Sequence, residues 1–167
     1  AQREIIAQLL RVERSRSSDD AVRMALVGDL MWLRDGWEDF LCPHLATYLA
    51  THQVVLGNLE TVISDSLPAR VLLPDYVRFT SPPALLQAFR RPPTEIGEPP
   101  TDNLFTAVSV ANNHIFDFGD QGARDTLTQL NREGIRHSGL RTKKATPCWT
   151  QWERQGLTFG FYAATYG

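Results

Sequence analysis

The side chains best suited to chemistry fall in three short stretches, each at the end of an apolar run. Val22 to Val27 stops at Gly28-Asp29. Gln53 to Leu56 stops at Gly57-Asn58-Leu59-Glu60-Thr61. Leu104 to Val110 stops at Ala111-Asn112-Asn113-His114, with Asp117 and Gly119 just beyond. Carboxylate, carboxamide and imidazole together suit hard or borderline divalent ions such as Mn, Mg, Fe or Zn, and suit calcium less. Such an ion polarises a phosphoryl or carbonyl oxygen, or acidifies a bound water into a nucleophile near neutral pH. A histidine beside it can protonate a leaving group. Each residue alone also has an ordinary reading. Asp29 and Asn58 suit turns, and Glu60 suits a solvated surface. Asn112 and Asn113 tolerate left-handed backbone, His114 suits a hydrogen-bonded structural role, and Asp117 suits a helix cap. Recurrence at three strand ends selects the chemical reading, because neighbouring strands of one sheet bring their ends together.

The elements that must position these groups follow from pattern. Gln2 to Arg14 reads as an amphipathic helix and Ser15 to Asp20 as a polar linker. The first strand is expected to stop where Gly28 allows a sharp turn. Leu30 to Trp37 reads as a loop or short helix, and Pro43 to Thr51 as a helix begun by proline. Ile63 to Pro74 reads as an exposed loop, and Tyr76 to Phe79 alternates as a strand. Ser81-Pro82 reads as the start of a helix reaching Phe89, and Arg91 to Asn103, rich in proline, as a surface loop. Gly119 to Glu133 is expected to be a helix closed by Gly134. Ile135 to Ser138 reads as a short strand. Cys148 to Arg154 and Leu157 to Ala163 flank Gln155-Gly156 as a β-hairpin. Strands alternating with helices predict an α/β fold with largely parallel pairing, and the hairpin adds antiparallel content.

With 167 residues the chain fits one domain of common size. Its 43% hydrophobic and 22% charged content is ordinary for a globular protein. A net charge of −2, from 17 basic and 19 acidic residues, gives no reason to expect a nucleic-acid surface. Cys42 and Cys148 form no C-x-x-C pair, so neither a zinc knuckle nor a disulfide framework is expected. No apolar run approaches the ~20 residues of a membrane span, and no signal peptide is visible; a start at Ala1 leaves room for a removed leader. No Gly-x-Ser-x-Gly, P-loop or dinucleotide fingerprint is present. His44, His52 and His137 lack a site-like context; for His137, after a short strand and near Gly139, an approach to the strand ends is only the weaker reading.

Gly28-Asp29-Leu30-Met31, Gly57-Asn58-Leu59-Glu60-Thr61 and Ala111-Asn112-Asn113-His114-Ile115-Phe116-Asp117-Phe118-Gly119-Asp120-Gln121-Gly122 resemble, in order and separation, the three N-terminal motifs of the bacterial capsule synthesis family, the poly-γ-glutamate synthesis CapA proteins. Gly134 to Gly139 and Leu157 to Gly167 resemble the stretches that follow, so the likeness runs from Val22 to the end. The long Asn-Asn-His-x-x-Asp-x-Gly match is its specific part. The resemblance implies a calcineurin-like metallophosphoesterase fold, a layered sandwich of two β-sheets flanked by helices. Residues 21–167 would form the N-terminal portion of that domain, after a helix and linker over 1–20. It implies Asp29, Glu60 and Asn113 as metal ligands, His114 as the catalytic acid, and Asn58 and Asn112 as substrate contacts. It also implies a cell-envelope or extracytoplasmic setting, while the lack of a visible signal peptide leaves a cytoplasmic one open. This chain departs from the phosphoesterase pattern at Met31, where most carry histidine, and a thioether is a poor ligand for hard ions. The family's later histidine-rich motifs lie beyond Gly167, so the resemblance leaves the site to be completed by a C-terminal segment or another chain.

Two functions follow as expectations. One is a metal-dependent hydrolase acting on a phosphoester, or on an amide or ester of an anionic polymer or peptide. The other is a non-catalytic module that binds a polymer or a partner enzyme. The last strand has no closing helix after it, which predicts an apolar edge that associates with a second copy or with a further segment.

Overall fold

The computed structural model describes residues 21–31, 41–68, 70–73, 76–92, 102–141 and 147–165. The expected helix and linker over 1–20 and most of the loops over 30–37 and 91–103 lie outside the described residues.

Along the chain the elements are β1 (Met24–Leu30), α1 (Pro43–Ala50), β2 (Val54–Leu59), β3 (Val62–Ile63), β4 (Arg70–Leu73), β5 (Tyr76–Ser81), α2 (Ala84–Gln87), β6 (Ala107–Ser109), α3 (Gly119–Arg132), β7 (Arg136–Ser138), β8 (Trp149–Arg154) and β9 (Leu157–Tyr162). Strands β1, β2, β6 and β7 form one parallel sheet in the order β1-β2-β6-β7. Parallel neighbours need crossovers, and the helices supply them. The mixed α/β architecture is therefore the one the alternating pattern predicts.

Alternation along the strands gives the sheet two different faces. Val55, Leu59, Val108 and Val110 join Leu49 of α1, Leu85 and Leu86 of α2, and Leu127 and Leu130 of α3 in the main core. Each of these buried side chains contributes roughly 1.5–3 kcal/mol relative to exposure. On the opposite face, Val54 and Ala107 meet Trp152 of β8, with Leu56, Phe159 and Phe161 partly buried around them. Helices thus cover one face, and the β8–β9 hairpin covers part of the other. Gln155 (φ 49°) and Gly156 (φ 74°) take the two left-handed positions a tight hairpin turn needs. Ser138 ties the hairpin to β7: its Oγ donates to the Cys148 carbonyl at 2.7 Å and accepts from Ala163 N–H at 2.9 Å.

Four expectations are corrected. The chain does not turn at Gly28; β1 runs on to Leu30 with an irregular register. The stretch read as an exposed loop begins on β3, whose Val62 and Ile63 are fully buried, and contains β4, which pairs antiparallel with β5. A two-residue strand has no periodicity to betray it, and its cause is tertiary: Ile63 N–H donates to Thr126 Oγ1 of α3 at 2.9 Å. Ser81 does not cap a helix, because it ends β5, buried, with its Oγ 3.0 Å from Thr61 Oγ1. The helix that follows spans only Ala84–Gln87. Finally, the third apolar run is buried at Leu104, Phe105 and Val110, but its ladder is confined to Ala107–Ser109.

Among the described residues no helix is long and apolar enough to cross a membrane.

Candidate functional site

The first strand end owes its aim to one extra residue. Leu26 pairs with Leu56 and Asp29 pairs with Asn58, so three steps along β1 match two along β2. A one-residue insertion of this kind turns every later side chain to the opposite face. Gly28 sits inside it, with no positive φ and no atom within 4 Å of where a Cβ would be. Asp29 consequently shares a face with Asn58, while Leu30 enters the main core beside Leu59.

Asn58 Nδ2 donates to Asp29 Oδ1 at 2.9 Å. Asn112 Nδ2 donates to Asn58 Oδ1 at 3.2 Å and to the Leu59 carbonyl at 2.8 Å. The Asn112 oxygen accepts from the N–H groups of His114 (3.1 Å) and Ile115 (3.0 Å). Asn112 is buried, and these bonds wind the chain from β6 into the turn that carries Asn113 and His114. Asn113 is exposed, and His114 is half-buried. The end of β6 is held from the other side by Gly139 (φ +117°), where a Cβ would lie 2.6 Å from the Ala111 nitrogen.

His114 is itself held. Its Nδ1 lies 3.0 Å from Asp117 Oδ2, and the Asp117 side chain is fully buried. Phe79 N–H of β5 donates to the same oxygen at 2.7 Å. The Phe79 ring meets the imidazole edge-on, with centroids 5.0 Å apart. Asp117 is not the helix cap its position suggests: Phe118 occupies the cap of α3, and no side chain hydrogen-bonds there. The His-x-x-Asp spacing across a turn was the signal available in the sequence for this contact, since residues three apart in a turn can meet.

The two acids meet as well. Asp29 and Glu60 share a hydrogen bond between side chains. That bond is the main reason the Glu60 carboxyl lies above the usual carboxylate range. Partial burial and the Asp29 charge push the same way, and His114 pulls against them. Asp29 lies below its ordinary range, through the bond with Glu60 and then that from Asn58. The pair therefore retains a proton on Glu60 to higher pH than an isolated glutamate would, which is the state two crowded carboxylates adopt without a cation between them.

The structure thus brings together Asp29, Asn58, Glu60, Asn112 and His114, with Asn113 on the adjoining turn. Among the described residues no three His, Cys, Asp or Glu side chains stand close enough to enclose a metal by themselves. Two carboxylates and neighbouring carboxamide and imidazole groups nevertheless fit an oxygen-rich divalent site in donor chemistry. His137 lies elsewhere: it lines a cavity of 490 Å³ beside β7 with Asn131, Arg136 and Trp149, and burial lowers its pKa.

The family model for the bacterial capsule synthesis protein PGA_cap matches residues 23–167. No curated protein gives a significant match to the chain.

Proposed function

The chain belongs to the bacterial capsule synthesis protein family PGA_cap, and from that membership we propose that it is a metal-dependent hydrolase of a phosphoester, or of an amide or ester of an anionic polymer or peptide. The observation that carries this reading is the hydrogen-bonded run from Asp29 through Asn58 to Asn112 at adjacent strand ends, which sets the turn that carries His114. We place the fold among the calcineurin-like metallophosphoesterases, with the parallel sheet and the β8–β9 layer as the facing layers of their sandwich.

Asp29, Glu60 and Asn113 would hold the ion, a manganese, magnesium, iron or zinc. When bound, such an ion supplies Lewis-acid polarisation of a phosphoryl or carbonyl oxygen and a more acidic water. The protein's residues do the rest. Asn58 orients Asp29, and Asn112 sets the turn and borders the substrate side. His114 moves a proton to the leaving group, and as an imidazolium it is balanced by the buried Asp117 carboxylate. An anionic substrate suits a centre whose charge the metal has reversed.

The test is metal content and hydrolytic activity of the protein as the cell makes it, with Asp29→Ala and His114→Ala beside the wild type. Bound divalent metal with activity lost in both variants is expected. A protein that binds no divalent metal, with activity indifferent to both substitutions, ends the proposal. Met31 favours a second reading, a polymer-binding or partner-binding module, because a thioether stands where a hard-ion ligand is usual. Binding that survives chelation and the same two substitutions would select it.

A further inference from the structure

We propose that Asp117 is the positioning residue of this site: it fixes the His114 ring through Nδ1, in the tautomer that carries the proton there, so that Nε2 is the nitrogen turned to the chemistry. What Nε2 meets rests on the hydrolase reading above. The tautomer rests on geometry alone.

A carboxylate only accepts, so a ring nitrogen 3.0 Å from Asp117 Oδ2 has to donate to it. The opposite arrangement, a protonated Asp117 donating to a bare Nδ1, would put the acid hydrogen on the oxygen that already takes the Phe79 N–H at 2.7 Å. A hydroxyl oxygen is the poorer acceptor for so short an amide bond, so the ionised form fits both contacts. Burying a carboxylate is costly unless it is hydrogen-bonded. A residue needed only to begin α3 could have stayed at the surface, and this one makes no cap bond. Three further contacts hold the ring and its backbone. Asp117 N–H donates to the His114 carbonyl at 3.0 Å, which closes the turn. His114 N–H is tied to Asn112 Oδ1, and Phe79 packs against the imidazole edge-on. A histidine set this way accepts or ligates at Nε2 when neutral and donates from Nε2 only as the imidazolium. Fixing one nitrogen with a buried carboxylate is how proteins select the working nitrogen of a histidine.

Long-range proton–nitrogen NMR on the ¹⁵N-labelled chain, metal-free and at a pH where histidines are neutral, reads the two ring nitrogens directly. The His114 signals are assigned by their loss in His114→Gln. The expected result is a protonated Nδ1 and a bare Nε2. Asp117→Asn keeps an oxygen at the shared position and should keep this pattern, whereas Asp117→Ala should move the proton to Nε2, the form free imidazole prefers. A wild-type His114 protonated on Nε2 overturns the proposal, and so does an Asp117→Ala spectrum identical to wild type. Should Asp117→Ala fail to fold, the wild type and Asp117→Asn decide. Titration with Mn²⁺ separates the two readings. A chain with the Nδ1–H pattern that binds no Mn²⁺ loses the hydrolase reading and keeps the positioning, and the reverse combination does the opposite.

Discussion

Asn58 Nδ2 donates to Asp29 Oδ1 at 2.9 Å, across two strands whose register is broken by a single residue on the Asp29 side. The bond depends on the irregularity, since an unbroken ladder would set Gly28 opposite Asn58. It leads on through Asn112 to the turn that carries His114, so two strand ends and that turn are one connected unit. Divalent metal should stabilise this unit. At about 100 times its Kd, Mn²⁺ should raise unfolding free energy by about 2.7 kcal/mol. Asp29→Ala should abolish that gain. Asn58→Ala should weaken Mn²⁺ binding by roughly 10–100-fold, as loss of a group that orients a ligand does. Thermal melts with Mn²⁺ and with chelator are the measurement, and an unchanged Mn²⁺ shift in Asp29→Ala is the contrary outcome.

The acid pair predicts a pH dependence with a definite sign. Glu60 is raised, so the native protein keeps its proton longer than the unfolded chain does. Its contribution is fully present in acid and is lost as pH rises from the ordinary glutamate range through the elevated native one. Asp29 is lowered, so its contribution is present above the ordinary aspartate range and is lost as pH falls through the depressed native one. Glu60→Gln removes the first effect and leaves an amide N–H that can still donate to Asp29. As pH rises from the ordinary glutamate range through the elevated native one, the metal-free variant should therefore gain on the wild type, measured by urea unfolding. Parallel profiles would contradict a raised Glu60. Mn²⁺ must displace the same proton, so its affinity for the wild type should climb over that window.

Much of this arrangement was legible in the sequence, because it rests on local pattern. The strand ends at Asp29, Asn58 and Asn112, α3 closed by Gly134, and the turn at Gln155-Gly156 each follow from a short-range rule. The parts that were not legible depend on partners far along the chain. Gly28 reads as a stop, yet it is the residue around which β1 changes register before continuing, and only pairing with β2 reveals that. Val62 and Ile63 form a strand because β5 and α3 lie against them. Asp117 looks like a cap, and its burial is decided by Phe79, 38 residues away.

Two glycines near the site should respond oppositely to a methyl group. Gly28 has open space and an ordinary φ, so Gly28→Ala should be neutral or should stabilise by about 0.4–1 kcal/mol through the unfolded chain. Gly139 has φ +117° and the Ala111 backbone 2.6 Å from a Cβ. Gly139→Ala has to move the strand end that leads into Asn112, and it should cost at least about 1–3 kcal/mol from backbone conformation alone. Urea unfolding of the two variants settles the contrast, and equal stabilities would mean that the β6–β7 end is not held as tightly as these distances require.

The hairpin should be fastened mainly through Trp152. This side chain is 8% exposed, stacks on Phe159 at 5.6 Å and has the Arg136 guanidinium 5.9 Å from its ring. It covers Val54 and Ala107, both fully buried on that sheet face. Trp152→Ala should cost about 3–5 kcal/mol. Its Nε1 is buried without a hydrogen-bond partner among the described residues, a state that itself costs about 1–3 kcal/mol. Trp152→Phe removes that penalty together with part of the ring and should cost far less than the alanine variant. Leu157 and Tyr162 of β9 are 53% and 65% exposed, so Leu157→Ser and Tyr162→Ser should lie within about 0.5 kcal/mol of wild type. Leu26 on the same sheet face is 73% exposed, and with these two side chains it leaves apolar surface uncovered. Concentration-dependent sedimentation should therefore show self-association that Leu26→Lys, Leu157→Ser and Tyr162→Ser together reduce. A monomeric wild type over the whole concentration range would show that this surface is too broken up to associate.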